Sequence, residues 1–386
     1  MRRALHVASS LAVAALALPA SATAAARGEW ISGDLHLHTT YSHDSYGGPG
    51  DDNTDLEDGY TAGHTVGSQF AVAASRGLDF IAITDHNDVR SQADPGFGAG
   101  GVIAVPGYEN SLKGHAQMLG ATRLYDNGDS SAAAVQALAR ALRADGGIFQ
   151  VNHPSDPAWE YGYDVRPETV EAWNLPWYYQ PPFPSASDND RALRYWEGWL
   201  DRGKRVAVTG GSDNHWVSTT AVQGAGQPTT WVFVRQRSVR GILEGLRAGH
   251  TSVSHQPPGL GGPRLILKAD GDRTREFEAM AGDAVPPRTQ MKVRVKGAAP
   301  GAFVRVVTDG GTEAFAPVTV TGSLFTHRFR APAGATWVRA EVYGEDAGEG
   351  RPEGCSLLFG GDNAFETTYC TNRVAMLALS SPIYVR

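Results

Sequence analysis

Histidine and acidic residues follow apolar runs at four places in the first 215 residues, and these residue types are the usual protein ligands of divalent metals. His36 and His38 flank a leucine, and Asp44 follows closely. Alternate residues on a strand point to the same side, so both imidazoles can face one ion. The residues in the same context further along are His86 after residues 80–84, His153 after 148–152, and Asp213 with His215 after 206–209.

These ligand types indicate a hydrolytic metal centre. Neutral imidazole binds zinc, manganese or iron, and a carboxylate can bridge two ions. Metals held in this way lower the pKa of a bound water and so provide a nucleophile at neutral pH. Ser212 lacks the surrounding GxSxG pattern, and the chain has no GxxxxGKS phosphate loop. The pattern therefore predicts metal-dependent chemistry rather than serine-hydrolase or P-loop chemistry.

Short apolar runs alternate with helix-like segments from about residue 30 to residue 254, and these elements must position the candidate ligands. Several runs are apolar almost throughout, as expected for parallel strands buried on both faces. The alternation predicts an α/β fold with a parallel sheet that closes, or nearly closes, into a barrel. The predicted strands are Ile31–Leu37, Asp79–Thr84, Val102–Val105, Ala116–Leu119, Gly147–Asn152, Val170–Trp173, Arg205–Thr209 and Thr230–Val234, and the predicted helices are Val66–Ser75, Ser131–Ala144, Asp190–Leu200 and Ser238–Arg247.

The pattern of apolar and polar residues changes after residue 255. Residues 256–263 are rich in proline and glycine and are typical of a linker. Beyond them, alternating strands separated by Gly/Pro turns predict a small β-sandwich over residues 264–386. The clearest strand is Met291–Lys296, in which apolar and basic residues alternate. The expected organisation is thus a signal segment at 1–26, a barrel at 27–255, a linker at 256–263 and a sandwich at 264–386.

The first 26 residues have the layout of a secretory signal peptide. Arg2 and Arg3 precede an apolar stretch at 11–18, and small residues follow up to Ala26. A retained membrane anchor is the alternative, but the apolar run is short for a span of about 20 residues. We expect cleavage, a secreted, periplasmic or cell-wall-associated protein, and no other segment able to cross a bilayer.

Charge and cysteine usage narrow the possible partners and environment. With 34 basic and 41 acidic residues, the formal net charge is −7, so the chain lacks the basic footprint of a nucleic-acid-binding protein. Cys355 and Cys370 are the only cysteines. In an exported protein such a pair most simply forms a disulfide, although two free thiols or a thiol metal site are alternatives. The oligomeric state is left open.

Four segments together resemble the motifs of the PHP-domain metallo-phosphoesterase superfamily. They are Gly33–Thr39, Thr84–Asn87, Asn152–Pro154 and Gly211–His215, in the family's order and at strand ends. The resemblance covers about residues 31–255, and with the β module that follows it is similar to the CehA/McbA branch. It implies a distorted (β/α)7 barrel of the PHP type, followed by the small C-terminal β-sandwich.

The resemblance also implies a cluster of two or three divalent ions, Zn²⁺, Mn²⁺ or Fe²⁺. One site would use His36, His38, Glu109 and Asp213; a second would share Glu109 and add His115 and His153; a third would take Asp44, His86 and His215. His43 is the alternative to Asp44, and Glu109 taken alone could be a surface carboxylate. The residues expected to be catalytic are Glu109, Asp213 and His215. Asp85 could bind metal or orient His86, and a supporting or structural role is preferred for it. Asp34 is expected to support the ligands or to cap a neighbouring backbone group.

Several basic and aromatic side chains are candidates for substrate binding. Lys113 and Arg191 are the preferred groups, and Tyr108 and Arg90 are further candidates. An aromatic cluster at Trp173 and 177–179 is interpreted either as a packed loop or as a surface for a sugar or lipid headgroup.

Three functions are compatible with these features. The first is an exported metal-dependent phosphodiesterase or phosphatase acting on a small-molecule, lipid or glycan phosphoester. The second keeps the metals but hydrolyses carbamate or carboxyl esters. The third is a non-catalytic metal- or glycan-binding protein, for which we expect missing ligands, whereas every expected position is filled.

Overall fold

The computed structural model describes residues 28–45, 60–125, 129–155, 157–175, 188–218, 224–345 and 374–386. The predicted signal segment, both cysteines and residues 177–179 lie outside these ranges. In the described part up to residue 255, the strands are β1 Glu29–Asp34, β2 Tyr60–Gly63, β3 Phe80–Ala82, β4 Ile103–Val105, β5 Glu109–Leu112, β6 Gly114–Leu119, β7 Ile148–Val151, β8 Thr169–Asn174, β9 Ala207–Gly211, β10 Trp216–Ser218, β11 Thr229–Val234 and β12 Thr251–Ser254. The helices are α1 Val66–Ser75, α2 Ala132–Ala144, α3 Asp188–Asp201 and α4 Val239–Ala248.

The helices begin where the sequence supplies a capping side chain. The side chains of Thr65, Ser131 and Ser238 accept hydrogen bonds from backbone N–H groups in the first turns of α1, α2 and α4. Helix α4 ends at Gly249, whose φ of +75° suits glycine. Val135, Leu138, Ala139 and Leu142 recur at helical spacing and form the buried face of α2, which packs on β7. No helix in the described part of the chain is long and apolar enough to cross a membrane.

Two mixed sheets replace the single parallel barrel that the alternation predicts. In the first, β3 and β4 continue parallel to β1, but β11 and β12 pair antiparallel on its other side. In the second, β7, β8 and β9 are parallel, whereas β5, β6 and β7 pair antiparallel. One residue, Lys113, connects β5 to β6, and a connection this short permits only an antiparallel hairpin. The α/β class is confirmed, and the all-parallel barrel is not.

The edges of the two sheets meet at the end that carries the candidate ligands. Isolated parallel bridges join Leu37 to Asn214, beyond the ends of β1 and β9, and His86 to Glu109, beyond the end of β3. These bridges bring the chain segments that follow β1, β3 and β9 next to the β5–β6 hairpin. The candidate ligands on these segments therefore converge, although the sheet is not a continuous barrel.

The remaining described strands form two sheets around a second apolar core. They are β13 Arg264–Ala269, β14 Ala279–Met280, β15 Ala284–Val285, β16 Gln290–Lys296, β17 Phe303–Thr308, β18 Thr312–Glu313, β19 Val318–Thr319, β20 Leu324–Arg330, β21 Trp337–Glu345, β22 Val374–Ser380 and β23 Ile383–Val385. One sheet has the order β14-β13-β16-β20. The other contains β17, β21, β22 and β23, and β22 pairs with β12, so this sheet continues into the first sheet of the N-terminal region. The predicted division at residues 256–263 stays a prediction, and strand pairing crosses it.

Candidate metal centre

All nine predicted metal ligands lie together at the converging edges of the two sheets. His36 and His38 are fully buried, and Glu109 is nearly so. Their ligand atoms fall into overlapping groups within 4.8 Å of one another. This histidine–carboxylate cluster consists of His36, His38, Asp44, His86, Glu109, His115, His153, Asp213 and His215.

Four of these residues bring their ligand atoms together as in a tetrahedral ligand set, and five of the six distances among these atoms are 3.0–3.2 Å. His36 Nε2 lies 3.1 Å from His38 Nε2, 3.0 Å from Glu109 Oε2 and 3.1 Å from Asp213 Oδ1. His38 Nε2 lies 3.2 Å from each of the same two carboxylate oxygens. A tetrahedron with edges of about 3.1 Å has its centre about 1.9 Å from each corner, close to the roughly 2.0–2.2 Å of zinc–nitrogen and zinc–oxygen bonds. The predicted composition of the first site matches this group.

A second group surrounds Asp44. Its Oδ2 atom lies 3.2 Å from His86 Nε2 and 2.9 Å from His215 Nε2, and His38 completes the group. His43 is exposed, with its ring 5.0 Å from that of His86, whereas Asp44 Oδ2 contacts two imidazoles directly. The geometry therefore favours Asp44 over His43 as the ligand, as the sequence predicts.

Glu109 connects the groups through its two carboxylate oxygens. Oε2 faces the tetrahedron and lies 3.5 Å from His86 Nε2, whereas Oε1 lies 3.2 Å from both His115 Nδ1 and His153 Nε2. The sequence groups His115 and His153 with Glu109 in one site. In the structure, His115 groups with His86 and Glu109, and His153 groups with His36 and Glu171. Both histidines of the expected site therefore lie at Glu109 Oε1, and each also belongs to a further group.

Hydrogen bonds at the far side of the rings fix the tautomers of three imidazoles. His36 Nδ1 donates to Glu171, which lies 3.1 Å away, and His215 Nδ1 donates to the Asp213 carbonyl. Ser42 Oγ donates to Asp44 Oδ1, so His38 Nδ1, 3.0 Å away, donates to Ser42 Oγ. When Nδ1 carries the proton of a neutral ring, Nε2 is an acceptor. Acceptor nitrogens and carboxylate oxygens about 3 Å apart repel one another unless a cation lies between them, and such outer partners are typical of metal-binding histidines.

The backbone around Asp213 brings β9 against the segment that carries His36. Gly211 allows this close approach, because a Cβ atom there would lie 2.4 Å from both Glu171 Oε1 and His36 Cβ. Asp213 then adopts a φ of +51°, and its N–H donates to the His36 carbonyl at 2.9 Å. Left-handed backbone at a residue other than glycine costs on the order of 1 kcal/mol or more and is concentrated at functional sites.

Buried charges control protonation of the cluster. Burial raises the pKa of Glu109, but the positive charges of His36 and His86 hold that pKa well below its usual range. Burial lowers the pKa of His153, yet its hydrogen bond to Glu109 and the charge of that carboxylate raise it to about 9. Without metal, some of the imidazoles therefore carry protons at neutral pH, and these protons occupy the positions at which a metal would bind.

Metal affinity is consequently expected to rise with pH up to about pH 9 and to be accompanied by proton release at pH 7. Each ion must displace a proton from an imidazole such as that of His153, whose pKa is raised. Isothermal titration calorimetry of the chelator-treated protein, in buffers that differ in ionisation enthalpy, measures the number of protons released. An affinity that does not change between about pH 6 and 9 contradicts this protonation scheme.

Glu171 is a buried residue of the site that sequence reasoning missed. Both of its carboxylate oxygens lie within 3.2 Å of His36 Nδ1, and Asn174 Nδ2 donates to it while also contacting Asp213 Oδ2. Asn152, which donates to Glu109 Oε1 at 2.7 Å, was also missed as a supporting group. The available signal was a single carboxylate inside the otherwise apolar predicted strand Val170–Trp173, since a buried charge requires a partner.

Replacing Glu171 with Gln is expected to weaken metal affinity about tenfold to a hundredfold, the usual cost of losing a histidine's outer carboxylate. The amide loses the negative charge that holds the His36 proton on Nδ1. Competition with a fluorescent zinc chelator measures the change. The matched control is Glu160→Gln, at an exposed position, which should bind metal like the unmodified protein.

The predicted supporting carboxylates have different partners. Asp34 caps backbone groups, as expected, and accepts hydrogen bonds from the N–H groups of His36, Ser212 and Gly226. Asp85 accepts from the backbone and side chain of Thr39. Asp85 therefore has a structural role, and His86 Nδ1 lies 3.1 Å from Ser111 Oγ.

The side chains predicted to bind substrate lie further apart from one another than the predicted metal ligands do. Lys113 is exposed at the turn of the β5–β6 hairpin, beside Glu109 and His115, and Arg191 is exposed on α3. Tyr108 is almost fully buried and its hydroxyl accepts from Tyr125 N–H, but the residue lines the cleft described below. Arg90 pairs with Asp88. Trp173 is fully buried in the core, so it does not form part of an exposed aromatic surface.

A cleft of about 630 Å³ borders the cluster on the hairpin side. Ser111, which contacts His86, lies on its wall, and Lys113 is the cation among the described residues that line it. Leu112, Leu124 and Tyr125 supply apolar surface. Asp129 also lines the cleft, so a ligand there would meet one ammonium group, one carboxylate and an apolar wall close to the cluster.

Comparison with known proteins finds a family model that matches part of the chain and solved structures of low sequence identity. A family model described as a protein of unknown function (DUF3604) matches residues 26–95. A search of curated proteins finds no match. Among solved structures, a two-domain protein from Bacteroides vulgatus containing a predicted PHP-like metal-dependent phosphoesterase is similar at 14% identity and a TM-score of 0.41, covering 82% of this chain and 90% of that chain. A proposed metal-dependent phosphoesterase from Bifidobacterium adolescentis is similar at 16% identity and a TM-score of 0.31, covering 50% of this chain and 90% of that chain.

Proposed function

We propose that this chain is a metal-dependent hydrolase of phosphoric esters, of the PHP type and most similar to its CehA/McbA branch. One observation carries the proposal: buried acceptor atoms from imidazoles and carboxylates converge on common points, and Glu109 offers one oxygen to each side. Among the described residues, the buried atoms His115 Nδ1 and Asp213 Oδ1 have no hydrogen-bond partner. Such a cluster suits two or three divalent cations and is costly to bury without them.

The chain's residues divide the work in the proposed reaction. Bound divalent ions would supply an activated water at neutral pH and neutralise charge that develops on the ester oxygens. Glu109 and Asp213 would hold the ions, and Glu171 and Ser42 keep the protons of His36 and His38 on the side of each ring away from these carboxylates. Lys113, on the wall of the cleft, is positioned to neutralise an anionic ester.

Phosphodiesters are the favoured substrate class. A diester carries one negative charge, for which Lys113 is the cation among the described residues of the cleft. A monoester dianion calls for a further cation, and the carboxylate of Asp129 in the same cleft disfavours the second negative charge. The apolar wall of Leu112, Leu124 and Tyr125 suits an organic leaving group from a small molecule, lipid or glycan. For a chain with the predicted signal segment, we place this activity outside the cytoplasm.

A panel of aryl substrates tests the proposal. The protein, loaded separately with Mn²⁺, Zn²⁺ or Fe²⁺, is assayed on bis(4-nitrophenyl) phosphate, 4-nitrophenyl phosphate and a 4-nitrophenyl carbamate, with Asp213→Asn as the inactive reference. We expect the diester to be cleaved fastest and the Asp213 variant to be inactive. Absence of phosphoester cleavage with every metal contradicts the proposal, and metal binding without any turnover supports a binding protein instead.

Carbamate or carboxyl ester hydrolysis is the second candidate. The cleft supports this second reaction because a neutral ester needs no cation beyond Lys113 and gains from contact with the apolar wall. Lys113→Met separates the two reactions. The loss of the ammonium group should lower diester turnover at least about tenfold, the scale of one lost charged contact, and leave the turnover of a neutral carbamate nearly unchanged.

A further inference from the structure

The outer face of the four-stranded sheet β14-β13-β16-β20 carries an array of cations. Inward-pointing residues such as Leu265, Met291 and Val293 are buried in the second core, so the alternate residues of the same strands point outward. We call these outward cations the basic face: Arg264, Lys268, Lys292, Arg294, Lys296, Arg328 and Arg330.

Strand register places like charges directly opposite one another. Lys292 lies between Lys268 on one neighbouring strand and Arg328 on the other, and Arg264 is opposite Lys296. Like charges in opposed positions destabilise a sheet. Burial and the neighbouring charges of Lys268 and Arg328 lower the pKa of Lys292. This repulsion stands out in a chain whose net charge is −7.

The charges of the basic face are not balanced locally. In the part of the chain that the structure describes, none of its seven cations forms an ion pair, although acidic residues outnumber basic ones in the whole chain. Lys292 and Arg328 instead flank the ring of Phe277, at 4.3 and 5.6 Å from its centroid. Unbalanced cations arranged in rows about 5 Å apart across the strands fit an extended anionic surface better than one small anion.

Exposed leucines lie at one edge of the basic face. Among the described residues, the large apolar side chains that are exposed are Leu124, Leu260 and Leu324. Leu324, 58% exposed, is opposite Lys296 in the strand register. Gly297, which follows Lys296, packs against the turn at 261–263, and Leu260 directly precedes this turn. Two of the three exposed leucines therefore lie at the same edge.

We propose that the basic face docks on a bilayer rich in anionic phospholipids. Cations near such a surface are each attracted by the headgroup charge, and leucines at the rim can enter the interfacial region. A soluble polyanion would use the cations but would gain little from Leu260 and Leu324, so the observations favour the lipid surface. The docking surface is separate from the histidine–carboxylate cluster, and this proposal does not depend on the proposed reaction.

Vesicle sedimentation tests the proposal with the full-length chain. Binding is compared on phosphatidylcholine vesicles and on vesicles that also contain about 30% phosphatidylglycerol, at low and high salt. Lys292→Glu, Arg294→Glu and Arg328→Glu are combined in one variant. The control combines Arg140→Glu, Arg166→Glu and Arg235→Glu, which are exposed positions outside the face with the same change in net charge. Any contribution of the apolar N-terminal stretch is common to all of these proteins.

We expect binding to the anionic vesicles that is lost in high salt. Each cation near an anionic bilayer contributes about fivefold, so the triple variant should bind at least about a hundredfold more weakly, whereas the control should bind almost normally. The unfolding temperature of the triple variant should be unchanged or higher, because the like-charge repulsion within the basic face is relieved. Leu260→Ser and Leu324→Ser should each weaken vesicle binding about tenfold and leave binding to soluble polyphosphate unchanged.

Three results would overturn the proposal. They are equal binding to neutral and anionic vesicles, equal loss of binding in the triple variant and its control, and polyphosphate binding through the basic face without vesicle binding. The last result assigns the face to a soluble polyanion.

Discussion

Replacing Glu109 with Gln is expected to lower kcat/KM by at least about a thousandfold and to reduce the number of bound metal ions. The carboxylate presents Oε2 to His36 and His38 and Oε1 to His115 and His153. An amide loses the charge and offers only one acceptor, so it cannot bridge two cations. A thousandfold loss corresponds to about 4 kcal/mol of transition-state stabilisation, a scale that metal polarisation commonly supplies.

Two further variants make the Glu109 experiment specific. Glu109→Asp retains the charge on a shorter side chain and should recover part of the metal content and activity. Glu160→Gln changes an exposed carboxylate outside the cluster and should behave like the unmodified protein. Activity and metal content of Glu109→Gln close to those of the unmodified protein would show that Glu109 is not a bridging ligand.

Removal of the metals is expected to destabilise the fold as well as abolish activity. The cluster concentrates buried acceptor atoms, and Asp213 and Glu109 then depend on protonated imidazoles for compensation. A ligand present at a thousandfold excess over its Kd stabilises the folded state by about 4 kcal/mol. We therefore expect Tm to fall by several degrees after chelation and to recover when the divalent ion is restored.

Differential scanning calorimetry at neutral pH measures this change. His38→Ala combined with Asp213→Ala serves as the reference, because it removes two corners of the tetrahedron. The Tm of this reference should no longer respond to added metal. An unmodified protein whose Tm is the same with and without chelator would contradict a structural contribution of the metals.

The parts of the fold that follow local rules could be predicted from the sequence. The serine before α2 and the apolar residues at helical spacing within it define both its start and its buried face. The His36–Leu37–His38 pattern identifies candidate ligands because alternate residues on an extended segment share a side. These predictions needed only neighbouring residues, and the structure places each of them as expected.

Features that depend on pairing between distant segments were not predictable in the same way. The polar residues of β5 gave no strand signal, so the β5–β6 hairpin and the resulting mixed sheet were missed. The partnership between Glu171 and His36 joins residues 135 positions apart, and only the fold brings them into contact. The basic face was not predictable either. The alternation in Met291–Lys296 predicts an amphipathic strand, but strand register decides which cations of the neighbouring strands lie beside it.

Metal content per polypeptide is the most direct test of the central claim, that the histidine–carboxylate cluster binds divalent ions. The protein is loaded with excess Mn²⁺ or Zn²⁺, freed of unbound metal by gel filtration and analysed by mass spectrometry of the elements. Two or three ions per chain are predicted for the unmodified protein, and fewer for Glu109→Gln at the same protein concentration. Less than one ion per chain, or equal content in both proteins, would contradict the account.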